Sequence, residues 1–137
     1  MKKLLLFGLL WWVLIFVEVS IIGFTPGFAT MGDNGFTLLP MGIAIHFFLL
    51  AIFSAVLGKL YFSKKPFASQ NALVAAATIV LIGLLLDALI TVPFFVKSYS
   101  VYFSKWTLWT GVGVFIGVFY CIGKFKNRHD NSFERTG

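Results

Sequence analysis

Charge is what this chain has least of. Charged residues fill 12% of its 137 positions, about half of the ~25% usual in a soluble domain. That is too few to give a folded globule an ordinary wetted surface. A single cysteine, Cys121, excludes an intrachain disulfide and any paired-cysteine metal or redox motif. Acidic residues are scarcer than basic ones, five against eleven, for a net charge of +6. Such a balance points to nucleic acid when basic residues form a patch interleaved with aromatics. Here they flank apolar runs instead, which excludes nucleic acid as the partner. The sequence also lacks a GxSxG elbow, a phosphate-binding loop and an HExxH pair, so the commonest hydrolase, nucleotide and metalloprotease chemistries have no motif to rest on.

What the chain has instead is hydrocarbon. Hydrophobic residues make up 59% of it, and the mean hydropathy is +0.93. A bilayer core of about 30 Å takes about 20 apolar residues at about 1.5 Å rise each. Four runs qualify, at residues 4–24, 41–62, 72–96 and 102–123. The first ends at Thr25-Pro26-Gly27 and the second at Ser63-Lys64-Lys65-Pro66, where proline and glycine disfavour further helix. The first run also exceeds the 7–15 apolar residues of a signal peptide, so it is read as a span. Between the first two runs, Asp33-Asn34-Gly35 signals a turn, and the loop's large apolar residues are expected to rest on the interface as a lid.

The expected fold is therefore an all-α integral membrane protein, a four-transmembrane-helix bundle with up-down connectivity. Lys2, Lys3, Lys59, Lys64, Lys65, Lys124, Lys126, Arg128 and Arg135 fall on one side, with only Lys97 and Lys105 opposite. The positive-inside rule then places the N and C termini in the cytoplasm, in a multi-pass protein of the cell (inner) membrane. Residues 1–123 form the membrane domain, and residues 124–137 a basic cytoplasmic tail without periodicity, expected to be disordered. Trp106, Trp109, Tyr99 and Tyr102 suit the outer aromatic belt.

Three ionisable residues interrupt the spans: Glu18, His46 and Asp87. Glu18 and Asp87 each lie about 15 residues from the cytoplasmic end of their runs, roughly 22 Å at helical rise. His46, on a helix running the other way, falls at a similar level, and so does Thr110 on the fourth span. On the third span Ala76, Val80, Gly83, Asp87 and Thr91 form one small and polar stripe, and Gly42 lies one turn from His46. Stripes of this kind face other helices, because lipid favours large apolar groups. Burial disfavours an ionised carboxylate, and neighbouring carboxylates disfavour each other's ionisation. The chemistry expected of Glu18, His46, Asp87, Thr91 and Thr110 is therefore proton handling or cation binding. A histidine with two carboxylates is also a common metal ligand set, but three helices would have to supply it without a local motif, so metal and cofactor stay unknown. The bland alternative is interhelical glue, at about 0.6 kcal/mol for an average contact.

Gly83 and the Gly113/Gly117 step are expected to pack helices closely within the chain. Pro93 is expected to mark the end of the third span, or else to kink it and free a carbonyl near the polar layer. Cys121 is expected to be a buried, inert thiol.

Two resemblances add to this. The run Leu86-Asp87-Ala88-Leu89-Ile90-Thr91-Val92-Pro93-Phe94-Phe95, followed by Tyr99, Tyr102-Phe103 and Trp106, resembles a family of small uncharacterised prokaryotic four-helix membrane proteins. That implies fold and topology only. Glu18 leading to Phe24-Thr25-Pro26-Gly27-Phe28 is similar to the first helix of small multidrug resistance transporters, which implies a membrane-embedded glutamate exchanging protons for cationic drugs. Trp109-Thr110-Gly111-Val112-Gly113 resembles a segment of their third helix, although here it lies in the last span.

The expected function is a transporter or ion- or proton-binding component built around the polar layer, with a non-catalytic accessory or scaffold subunit as the competing class. The expected partners are the lipid bilayer and either a second copy of the chain or a larger membrane protein.

Overall fold

The computed structural model describes residues 2–33, 35–63 and 69–134. Helix α1 spans Lys2–Phe24, and strands β1 (Ala29–Gly32) and β2 (Gly35–Leu38) follow as an antiparallel hairpin. Helix α2 spans Pro40–Tyr61, and α3 spans Ser69–Leu86 and runs directly into a π-helical segment, Asp87–Val96. A short α4 (Tyr99–Ser104) precedes α5 (Trp106–Glu134). Four of these helical stretches are long and apolar enough to cross a membrane: Lys2–Phe24, Pro40–Tyr61, Asn71–Val96 and Trp106–Phe125.

Helix direction alternates along the chain, so the start of α1 and the end of α5 share one end of the bundle and the β-hairpin lies at the other. The order around the bundle is less simple. Helix α1 packs on α2 and α3, and α5 packs on α2 and α3. The α1–α3 and α2–α5 contacts are the most extensive, and each joins helices that run in the same direction. Consecutive α2 and α3 therefore occupy opposite corners.

Small residues on α3 make the tight approach possible. Ala72, Ala75, Ala76 and Val80 are buried, and a Cβ at Gly83 would collide with the Trp11 ring. Around them Phe62, Phe115 and Phe119 are fully enclosed, with Trp11 and Phe115 ring centroids 4.8 Å apart. The outward faces of α1, α2 and α3 carry large aliphatic groups such as Leu6, Ile21, Val56, Val74 and Leu81, the groups that hydrocarbon favours.

Several expectations need correction. The fourth run does not start at Tyr102: the backbone turns extended at Lys105, which separates α4 from α5. The tail is helical as far as Glu134, because α5 propagates through a stretch free of glycine and proline; extending an existing helix is far easier than nucleating one. Cys121 is exposed rather than buried. Gly113 and Gly117 also face open space, so they do not perform the packing expected of them within the chain.

Pro93 sits inside the π-helical segment rather than at a helix end. In π geometry each N–H bonds to the carbonyl five residues back, as Lys97 N does to Val92 O at 2.7 Å. Proline has no N–H, so the Ala88 carbonyl loses the donor it would have had. The Tyr99 hydroxyl takes that place, donating to Ala88 O at 3.0 Å. The segment ends at Lys97, whose φ of 60° is left-handed.

Candidate functional site: two polar centres

The three ionisable residues of the long apolar helices do not form one layer. They form two centres on different faces of α1.

The first joins α1 to α2. His46 Nδ1 lies 2.9 Å from Glu18 Oε2 and 3.1 Å from Oε1, and both residues are buried. With a proton on Nδ1, the ring donates to both carboxylate oxygens. Each group gives the other a hydrogen-bond partner where neither has water. That is the cheapest way to keep an acid and a base out of water. Local structure fixes the partners. A Cβ at Gly42, one turn before His46, would collide with the Phe28 carbonyl. That same carbonyl accepts from Leu39 N at 2.8 Å, so glycine lets the loop after α1 lie directly on the start of α2. The other ring nitrogen, His46 Nε2, lies beside Gly111 of α5.

The second centre joins α1, the π-helical segment and α4. The Asp87 Oδ1 atom accepts from Trp12 Nε1 at 2.9 Å and from Thr91 Oγ1 at 2.7 Å. The Tyr102 hydroxyl also donates to this carboxyl; its titration is pushed above the usual phenol range by burial first, then by the charge and hydrogen bonding of Asp87. Asp87 therefore accepts from an indole N–H and two hydroxyls.

The depths differ because the ends of the helices are staggered. Gly8 packs under Ile82 and Trp12 bonds Asp87, so Glu18 is level with about residue 92, five positions beyond Asp87 and roughly 7 Å further along at helical rise. Counting each run from its own apolar start hid this offset. Thr91 belongs to the Asp87 centre. Thr110 is exposed on α5 and joins neither; Gly111, one position round the helix, faces His46 instead. Among the described residues no group of three His, Cys, Asp or Glu side chains gathers as a metal ion requires, so the trio does not form the ligand set its residue types allowed.

Sequence reading missed Trp12 and Tyr102. The signal was present for Trp12, since an indole N–H well inside a span needs an acceptor, but nothing said which of Trp11 and Trp12 would find one. The Trp11 Nε1 atom is buried without a partner among the described residues.

A groove of about 350 Å³ runs between α1 and α2 on the flank of the bundle, walled by residues such as Val13, Val17, Ile45, Leu49 and Phe53, with Glu18 in its wall. Compared with known proteins, the chain matches no family model, no curated protein and no solved structure.

Proposed function

We propose that the chain is a multi-pass protein of the cell (inner) membrane, with both termini in the cytoplasm, and that Glu18 and His46 form the proton-binding centre of a small transporter or ion-handling component. Four apolar helices of spanning length and the one-sided distribution of lysine and arginine support the insertion and its direction. The observation that carries the functional part is the buried Glu18–His46 contact at 2.9 Å. An acid and a base held together away from water can take up or release one proton by rearranging a single hydrogen bond, and ionisable groups at this depth mark ion and proton pathways.

Proton binding is measurable without knowing the substrate. Protein-loaded vesicles adsorbed to a capacitive sensor should displace charge on a pH jump. Parent and Asp87→Asn should both give the signal, and Glu18→Gln should lose it. Equal displacement from the parent and Glu18→Gln overturns the proposal.

A second reading has an observation of its own. Asp87 is held by Trp12, Thr91 and Tyr102, an arrangement that fixes three elements in register and asks for no ligand. It favours a scaffold role for that half of the molecule, and co-purification with a larger membrane protein after gentle extraction supports extending that role to the whole chain.

A further inference from the structure

The flank groove between α1 and α2 takes in Glu18 of the first polar centre. On α1 it extends from Val13 to Thr25, which is about 18 Å at helical rise. Its volume of about 350 Å³ lies within the roughly 300–1,000 Å³ of ligand sites. It exists because α1 and α2 make the least extensive of the four helix–helix interfaces. They are tied at one end where Lys3 Nζ donates to Tyr61 O at 2.6 Å, and near the other by Glu18 and His46. The groove takes in the second of these ties, with Glu18 in its wall between Val13 and Thr25.

The chemistry of the walls decides what fits. Ten of the eleven lining residues are hydrocarbon apart from the Thr25 hydroxyl, which donates to Ile21 O at 2.7 Å. The eleventh, Glu18, has only 3% of its side chain exposed and turns both oxygens to His46. An occupant therefore meets methyl and methylene groups rather than a free carboxylate, which argues for hydrocarbon over a cation. The groove also opens sideways between two helices of membrane-spanning length and apolarity, where the bilayer's own chains would lie alongside.

We propose that this groove seats one hydrocarbon chain of a bilayer amphiphile, which covers the Glu18–His46 pair from the side. A volume of about 350 Å³ spread along Val13 to Thr25 has room for a single chain; the head group lies at the Thr25 and Phe28 end. The seated chain keeps water from reaching the pair laterally. This inference goes beyond proton binding and stands or falls separately from it.

The test is photolabelling of the full chain in phosphatidylcholine vesicles containing a trace of phosphatidylcholine with a mid-chain diazirine. The expected result is label concentrated on the groove walls of α1 and α2, saturating at one per chain, with several-fold less on the outward α3 residues Leu81 and Leu85. Leu49→Trp, or the milder Ile45→Phe if the first variant does not fold, should fill the groove and remove its label while leaving the α3 label unchanged. Label spread evenly over all outward faces overturns the proposal. So does labelling of the groove by a long-chain alkylammonium diazirine alone, because the Glu18 charge and not the hydrocarbon walls would then select the occupant. Loss of the pH-jump signal has no bearing on either result.

Discussion

Glu18 and Asp87 are both carboxylic acids in the middle of apolar helices, and the bundle accommodates them by opposite means. Glu18 is given a base, His46, 28 positions away. Asp87 is given dipoles: an indole N–H and two hydroxyls. A counter-ion partner leaves a proton free to move between two groups. A shell of neutral donors holds a carboxylate in place and leaves it nothing to exchange with. The type of residue was the same in both cases, so the difference lies entirely in the neighbours.

The largest effect should come from separating the buried acid–base pair. Glu18→Ala is expected to lower stability by about 3 kcal/mol, the scale for breaking a buried pair, read as thermal unfolding in mild detergent. The double variant Glu18→Leu with His46→Leu should recover to within about 1 kcal/mol of the parent, since apolar replacement of a whole buried pair is often neutral. A double variant as unstable as the single one would show that the pair is not the unit.

At the second centre, Asp87→Leu is expected to destabilise by about 2 kcal/mol because it strands three donors, whereas Asp87→Asn, which still accepts, should cost about 1 kcal/mol. This centre also has a pH signature. The Tyr102 hydroxyl is pushed up from its ordinary value of 10.0, so the stability it contributes is complete below pH 10 and is lost as pH climbs from there towards the raised folded-state value. The parent should lose stability between pH 10 and 11 in the same melts, and Tyr102→Phe should lose less. A Tyr102→Phe curve parallel to the parent's would remove the phenol from the Asp87 centre.

The smallest effect belongs to the proline repair. Tyr99→Phe leaves the Ala88 carbonyl without its donor and should cost about 0.5–1 kcal/mol. In a Pro93→Ala background the backbone supplies an N–H again, so Tyr99→Phe should then have almost no effect. Equal effects in both backgrounds would mean that Tyr99 does not substitute for the missing amide.

The four long apolar helices were legible because hydropathy over about 20 residues is a strong signal. So was the burial of Ala76, Val80 and Gly83, which the small-residue stripe on the third run announces. The wide π turns were not legible: no local pattern distinguishes them from α-helix, and Pro93 read equally well as a terminator. The Glu18–His46 contact was half legible, in that depth could be counted but facing could not. Asp87 was misplaced for a related reason, since the stagger of α1 against α3 is set by Trp11 lying over Gly83, a fact of packing rather than of either helix's own sequence. Thr110 failed by a single position, which on a helix is about 100° of rotation.

The ring order of the helices also separates the two centres in time. Glu18 and His46 are 28 residues apart and belong to one helical hairpin, whereas Trp12 and Asp87 are separated by 75. During synthesis the N-terminal hairpin can close on its own acid–base contact as soon as α2 exists. The Trp12 side of α1 must wait for a segment made much later, and contacts of that sequence separation form slowly. For that interval the first two helices are a complete acid–base unit with an unfinished side, and the arrival of α3 and Asp87 is what turns the hairpin into a bundle.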